Sequence, residues 1–534
     1  DLIEKHNLNR VVVASCTPRT HEPLFQSVLK KTGLNPYLFN MANIRDQCSW
    51  VHMDEKASAT RKAKELVRMA VGKGLYAAAL QRKKIPVEHS ALILGGGMAG
   101  MSAALSITDM GYKAILVEKS GELGGNALSL SETYNGRPIQ KYVGDMISRV
   151  MNNDLIEVYL NTTVGKIEGF VGNYKTTLVT GNVLTPVNHG VVIVATGAHE
   201  AKPTEYLYGK NKSVITQLEL DRRLQNGDET LRGLKNVVMI QCVGSREDGR
   251  MYCSRVCCNQ AIRNAAALRR LNPDVNITVL YREMRTYGMH ELNYRNERQN
   301  GVNFINYDID RKPEVTETER KPGPNDDALI CGAASDHDKG AHDGSLRVTV
   351  FNPAVGSEIV LDADLVVLAS AIEADREENK KTAQLLKIPQ TQDGFFLEAH
   401  AKLRPVDFAT EGVYLCGLAH SPKNLRESLV QGRSAAGRAA TVISKDYIET
   451  EGTIARVDGN LCTACGTCER ICPYGAVEVQ DVPVRGGTVR RAVVNEALCK
   501  GCGTCSANCR CGAIDVGGFS DRQIVNEIEY LLRK

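Results

Sequence analysis

Two runs of cysteine near the end of this sequence have a spacing that can wrap inorganic clusters. They are Cys462-x2-Cys465-x2-Cys468-x3-Cys472-Pro473 and Cys499-x2-Cys502-x2-Cys505-x3-Cys509. Short C-x2-C loops cover three iron corners of a [4Fe–4S] cubane, and in this spacing the fourth cysteine of each run ligates the other cluster. One cubane is therefore expected on Cys462, Cys465, Cys468 and Cys509, and a second on Cys499, Cys502, Cys505 and Cys472. Gly466, Gly501 and Gly503 would let backbone N–H groups approach the sulfides. A zinc ribbon would need two C-x2-C pairs, not two runs of four. The second run departs from the pattern, because Arg510 and Cys511 follow Cys509 where a proline is usual. Cys511 reads as a bystander that could serve as a substitute ligand.

A different chemistry is written in Gly95-Gly96-Gly97-Met98-Ala99-Gly100. A short apolar strand, SALIL at Ser90–Leu94, runs into it; a helical segment over 101–110 follows, then a second strand at Lys113–Val117 that ends in Glu118. This is a dinucleotide fingerprint in its βαβ context: Gly95 for the tight turn, Gly97 for approach to the pyrophosphate, Gly100 for helix–strand packing. The diphosphate sits on the helix N-terminus, where free N–H groups and the dipole favour negative charge. Glu118 is placed for the ribose hydroxyls, with Lys119 beside it. FAD and NAD share this turn. Three later segments favour FAD: Gly121 to Asn126 with Gly124 and Gly125, the strand VVIVATG ending in Ala195, Thr196 and Gly197, and the strand GVYLCGLA followed by a helix over 424–442. Together they resemble the two-dinucleotide-domain flavoproteins of the thioredoxin reductase class. In that class the last strand ends in Gly-Asp; here Gly417 is followed by Leu418, which leaves the ribityl contact open. Lys423, Asn424 and Arg426 could donate to the flavin or its phosphates, or form a solvated basic turn.

Between the FAD halves a second βαβ unit is expected: a strand over 236–241, a helix at Cys257–Leu271 and a strand at Asn276–Tyr281. Its glycine fingerprint is absent. In its place stand Cys242-Val243-Gly244-Ser245-Arg246 and then Cys253, Cys257 and Cys258. Side chains in that turn would obstruct a nicotinamide pyrophosphate. Four cysteines at one loop and helix start could ligate a further [4Fe–4S] cluster; a redox disulfide, or cysteines acting as small buried hydrophobes, are the alternatives.

These features resemble the A subunit of heterodisulfide reductase, an iron–sulfur flavoprotein of methanogens and related anaerobes. The similarity also takes in VVVASCTPRTH at 11–21, NPYLFNM at 35–41 and IRDQCSWVH at 44–52. It implies an unusual [4Fe–4S] site near the flavin on Cys242, Cys253, Cys257 and Cys258. It also implies that Cys16 is the last ligand of a cluster shared with an upstream segment; a buried strand-end cysteine is the alternative. The implied function is flavin-based electron bifurcation. A two-electron donor, of hydrogenase or formate dehydrogenase type, reduces FAD; one electron passes to a CoM–CoB heterodisulfide on partner subunits and the other to ferredoxin. A homodimer within a larger complex is expected. The other readings are a quinone-linked relative or plain flavin–ferredoxin conduit that does not bifurcate, an NAD(P)H reductase resembling the small subunit of glutamate synthase, and a scaffold without turnover. Loss of the second glycine turn speaks against the reductase.

The elements that must carry these groups fit a chain of 534 residues, 43% hydrophobic and 24% charged, which is globular composition and long enough for several cores. A net charge of +4 gives no argument for nucleic acid or a membrane surface. The longest apolar runs are of strand length, so no membrane insertion is expected. With no secretory leader, seventeen cysteines point to metal or redox use in a reducing cytoplasm. The chain opens at Asp1 in what reads as mid-helix, so an upstream piece is expected. The expected class is α/β. It comprises an N-terminal α/β segment and linking helix (1–85), a split FAD domain (86–200 and 402–448), and a degenerate second dinucleotide domain (201–401). A two-cluster ferredoxin domain (449–520) and a C-terminal helix (521–534) complete it. The helix over 54–80 is expected to pack on the FAD domain or a partner, and apolar Ile524, Ile528, Leu531 and Leu532 could dock a partner protein. The polar stretch 317–345 reads as a surface insertion. Trp50, the one tryptophan, reads as core, and Cys48, Cys331 and Cys416 as structural.

Overall fold

The computed structural model describes residues 2–318 and 346–533. Most of the expected insertion, with Cys331, His337 and His342, lies outside the described residues. The chain divides into two compact units, Val87–Asp446 and a unit formed from its two ends, Asp1–Pro86 with Tyr447–Lys534.

The larger unit uses one plan twice. Its first sheet is five parallel strands in the order Val413–Leu415, Val191–Val194, Ser90–Leu94, Lys113–Val117, Ile156–Tyr159. Every residue of Ser90–Leu94 and Val191–Val194 is buried, because a parallel sheet is covered on both faces and its strands lose the polar alternation. Helices Met98–Asp109 and Leu425–Ile443 cover one face. The antiparallel meander of Thr162–Phe170, Asn173–Thr180 and Val183–His189 covers the other, through Tyr174, Leu178 and Val187. The two helices cross tightly at Gly432, where a Cβ would stand 2.3 Å from the Ala99 carbonyl oxygen. Inside the meander, buried His189 pairs with Thr176 Oγ1 (2.7 Å) and the Val191 carbonyl (3.0 Å), and burial pulls its imidazole down to about 4.

The second sheet has the order Val214–Thr216, Leu365–Ser370, Asn236–Val243, Asn276–Tyr281, Asn303–Asn306, again all parallel. Helix Cys257–Leu271 covers one face, and a meander of Glu314–Glu317, Leu346–Asn352 and Ser357–Ala363 packs on the other. Asn236–Val243 therefore occupies the place that Ser90–Leu94 holds in the first sheet. An antiparallel pair, His199–Glu200 with Ile372–Glu373, links the two halves. Asp221, fully buried, ties them more firmly: it accepts from Ser131 Oγ (2.7 Å), the Ser131 amide (3.1 Å), Gln260 Nε2 (2.8 Å) and the Arg263 guanidinium.

In the unit built from the chain ends, parallel strands Val11–Ser15 and Phe39–Asn43 sit with helices Pro18–Lys31 and Lys56–Leu75. The helix expected over 54–80 is thus shorter, and it packs on Asp521–Leu532 of its own unit. Gly72 permits the crossing, since a Cβ there would lie 2.6 Å from Tyr530 Cγ, and Asn526 Nδ2 donates to the Gly72 carbonyl. That contact buries Gln523 and Asn526 and leaves Ile524, Ile528 and Leu532 exposed, the reverse of ordinary amphipathic packing. Trp50 is 56% exposed rather than core, with the Arg45 guanidinium 4.8 Å from its ring. Cys48 is buried with its Sγ 3.0 Å from the Ala59 carbonyl. Among the described residues no helix is long and apolar enough to cross a membrane.

Candidate functional site

The glycine turn follows Ser90–Leu94 as the fingerprint requires. Gly95 has φ +113°, and a Cβ on it would strike the Ala195 carbonyl at 2.3 Å. A Cβ on Gly100 would meet the Gly95 oxygen at 1.9 Å, while Gly97 and Gly197 face open space. The helix starting at Met98 and Ala99 therefore presents its free N–H groups to a trough whose walls carry no side chain at Gly97 or Gly197. That shape fits a dinucleotide pyrophosphate. Glu118 does more than await a ribose. Its carboxylate accepts from Gly96 N (2.6 Å), Ser120 N (2.8 Å) and Ser120 Oγ (2.8 Å), so it also holds the turn closed. Gly97 bridges to Gly124, and Asn126 Nδ2 donates to the Ala198 carbonyl (2.8 Å), bringing those segments to the same trough. Gly124 and Gly125 both have positive φ, and Thr196 Oγ1 donates to Asn379 Oδ1 (3.1 Å). Lys119 is turned to Asp375 (2.9 Å), a pair that a cofactor contact would have to break.

After the strand Val413–Leu415, Gly417 (φ +70°) lies against Ala99. Its amide donates to Gln431 Oε1 (2.9 Å), and Gln431 Nε2 contacts His420 Nδ1 at 2.9 Å. His420 Nε2 is 3.6 Å from Glu398. Where the thioredoxin reductase class has Gly-Asp, this chain has Leu418 and a glutamine-pinned amide. Lys423 is buried, not part of a solvated turn. Its Nζ donates to Ser421 (carbonyl and Oγ, both 2.9 Å), and burial, with Arg255 nearby, pulls the ammonium down to about 8. Asn424 caps helix Leu425–Ile443 in a capping box with Glu427, and Arg426 is exposed, as a solvated turn would have it.

The second sheet puts Cys242 where the first has its glycine turn. Cys242 and Cys253 lie close enough to Cys257 and Cys258 to help raise the thiols of that adjacent pair. Cys242, Arg246 and Arg255 all adopt positive φ (58° to 61°), a backbone cost that persists at sites held for function. Burial holds the Cys257 thiol well above its usual range and pushes Cys258 up to about 11, so these sulfurs stay protonated unless a metal displaces the proton. Donors already point at them: Arg255 N to Cys253 Sγ (3.3 Å), Arg285 N to Cys258 Sγ (3.4 Å) and Arg246 Nη1 to Cys242 Sγ (3.9 Å). Arg255 also donates to the Pro422 carbonyl (3.3 Å) and Glu427 (2.8 Å), clamping this loop to the segment after the last FAD strand. An open cleft lined by Cys253, Arg255, Arg285 and Tyr287 lies against this site.

In the other unit the two cysteine runs surround two small cavities. One is lined by Cys472, Cys499, Cys502 and Cys505, the other by Cys462, Cys465, Cys468 and Cys509, with Cys511 beside them. The structure brings together the crossed sets that the spacing predicts. Amides of Ala455, Ala476, Ala492 and Ala513 donate to the sulfurs of Cys499, Cys472, Cys462 and Cys509 at 3.2 to 3.4 Å. Threonine contacts at Cys465 and Cys502 hold those two thiols below their usual range. Cys16, at the end of Val11–Ser15, has Arg45 Nη1 at 3.5 Å.

The family model for pyridine nucleotide-disulphide oxidoreductases matches residues 89–240, and that for the 4Fe-4S dicluster domain matches 461–513. The second of two iron-sulfur A subunits of CoB–CoM heterodisulfide reductase in Methanopyrus kandleri is 35% identical, over 89% of this chain and 83% of its own length. The chain belongs to the family of heterodisulfide reductase A subunits. Another member, the A subunit of the H2:CoB-CoM heterodisulfide,ferredoxin reductase of Methanothermobacter thermautotrophicus, is 33% identical over 90% of this chain and 83% of its own. Among solved structures, thioredoxin reductase of T. acidophilum aligns with 66% of this chain and 99% of its own, at 14% identity and a TM-score of 0.43. As a heterodisulfide reductase A subunit, the chain is an oxidoreductase whose cofactors are FAD and [4Fe–4S] clusters, and its role is electron transfer. Sequence reasoning missed Arg246, Arg255, Gln431 and His420; a basic residue close to the cysteines was the only signal for the first two.

Proposed function

We propose that this chain is the flavin subunit of a heterodisulfide reductase-type complex and performs electron bifurcation. The observation that carries the reading is the cysteine site standing in place of the second glycine turn and clamped by Arg255 to the segment after the last FAD strand. Bound FAD supplies exchange between paired and single electrons, and clusters carry single electrons. The chain's own residues do the rest. Gly95, Gly97 and Gly100 admit the pyrophosphate, and Glu118 orders the turn and takes a ribose hydroxyl. Lys423, buried with its ammonium pulled down to about 8, is the cation this reading assigns to the flavin. Cys242, Cys253, Cys257 and Cys258 hold a third cluster, with Arg246 and Arg285 offsetting its negative charge. Cys16 completes an N-terminal site with cysteines of an upstream segment. The partners in this reading are heterodisulfide-reducing subunits, a hydrogenase or formate dehydrogenase-type donor and ferredoxin, with a homodimer at the core of a cytoplasmic assembly. The names of relatives, which couple hydrogen or formate to heterodisulfide and ferredoxin, support it.

The test is anaerobic iron, sulfide and flavin content of the chain and its Cys253→Ala variant. Loss of about four irons with FAD retained supports the third cluster; unchanged iron reduces the chain to a flavin–ferredoxin conduit. In the whole complex, ferredoxin reduction must require heterodisulfide. Ferredoxin reduction without it would refute bifurcation.

A further inference from the structure

The cavity bounded by Cys462, Cys465, Cys468 and Cys509 has a fifth sulfur. Cys511 lines it, and its Sγ lies 3.7 Å from Cys509 Sγ. The counterpart two residues after Cys472 is Tyr474, which lines the other cavity in the same way, so this position faces a cluster in both halves. In the first half it follows Pro473 and carries a phenol; in the second it follows Arg510 and carries a thiol. Cys511 is only partly buried, and Gly512 beyond it has φ +61°, a turn that no neighbour closes over. Cys509 is the anchored sulfur, because the Ala513 amide donates to it at 3.2 Å.

We propose that Cys511 is a reserve ligand for the iron that Cys509 holds. This rests on the assignment of the ferredoxin-type clusters to these two runs. In the exchange the iron–Cys509 bond breaks and an iron–Cys511 bond forms. The proton leaving Cys511 goes to Cys509, and no electron is added or removed. A separation of 3.7 Å lies within the reach of one side-chain rotation, so the other three ligands need not move. Such a cluster keeps four thiolate ligands when Cys509 lets go of its iron.

The test is iron and sulfide content, with low-temperature EPR, of anaerobic Cys509→Ala, Cys511→Ala, Cys509→Ala/Cys511→Ala and Cys465→Ala. Cys509→Ala and Cys511→Ala each keep the native iron content, whereas the double variant loses one iron or the whole cluster. Equal loss in Cys509→Ala and the double variant overturns the proposal. Unchanged iron in Cys465→Ala would instead refute the cluster assignment beneath it. Alkylation of the native and Cys509→Ala proteins, read by mass spectrometry, gives a second measure: Cys511 is modified in the first and protected in the second. Cys511 modified equally in both overturns the exchange.

Discussion

Neutralising Arg246 isolates the electrostatics of the cysteine site. Its Nη1 is 3.9 Å from Cys242 Sγ, its side chain is only 14% exposed, and Glu283, 59% exposed, is its counter-ion at 3.1 Å. Arg246→Gln removes one positive charge and leaves an exposed carboxylate, so the fold loses little. At about 4 Å and an effective dielectric of about 20, a unit charge pair is worth about 4 kcal/mol. Delocalisation over the cluster and the Glu283 counter-charge cut this roughly in half, to about 2 kcal/mol, which for one electron is roughly 90 mV. The sign is fixed, because the reduced cluster carries the extra negative charge that Arg246 stabilises. The variant's third cluster should therefore titrate at lower potential by that order in an anaerobic, EPR-monitored redox titration, while the two clusters of the other unit stay put as internal standards. A shift upward, or one under about 20 mV with iron content unchanged, would refute the idea that this arginine sets the potential.

Gly100→Val should abolish flavin binding while leaving iron content near native, because its Cβ would lie 1.9 Å from the Gly95 oxygen; flavin released on denaturation measures it. Asp221→Ala strands Arg263, itself 15% exposed, without its partner, and should cost about 3–5 kcal/mol in thermal or urea unfolding. His189 has a folded pKa of about 4 against about 6.5 unfolded, so the unfolded chain binds the extra proton between those values. Stability from its neutral form is present above pH 6.5 and falls as pH drops toward 4. His189→Gln should flatten acid-induced flavin release in that window. Lys423, pulled down to about 8, should give the flavin potential a break near pH 8 that Lys423→Met lacks, with flavin still bound.

Much of the site was legible in spacing. The crossed cysteine sets follow from x2-x2-x3, and the glycine turn from its position between two strands, because both motifs are local. What was not legible depends on contacts across long sequence separations. The Asp221 network joins residues 131, 221, 260 and 263, and the Arg255 clamp reaches residues 422 and 427. Lys423 reads equally well as a solvated turn until its burial is known. Trp50 was misplaced because a large apolar residue is only usually buried. The C-terminal helix buries Gln523 and Asn526 because Gly72 brings a backbone carbonyl within reach of an amide side chain, something no periodicity argument detects.

The duplication explains why the cysteine site stands where it does. Both sheets have five parallel strands in matching order and a three-stranded meander, so the C-terminal end of the central strand is the same place in each half. In α/β sheets that is where ligands bind. In the first half, residues without side chains line it and a long anionic cofactor can approach the backbone. In the second, Cys242 at positive φ turns a sulfur into the same space, and Cys257 and Cys258 start the helix whose N-terminus would have met the pyrophosphate. The helix end suits either tenant, because its free N–H groups and dipole favour negative charge in a diphosphate or in a thiolate-bound cluster alike. A soluble hydride carrier must come and go, whereas a cluster on four cysteines stays. On the proposed ligation, the exchange of glycine for cysteine would turn a docking site for a diffusing cofactor into a fixed one-electron relay, tied by Arg255 to the flavin half of the same unit.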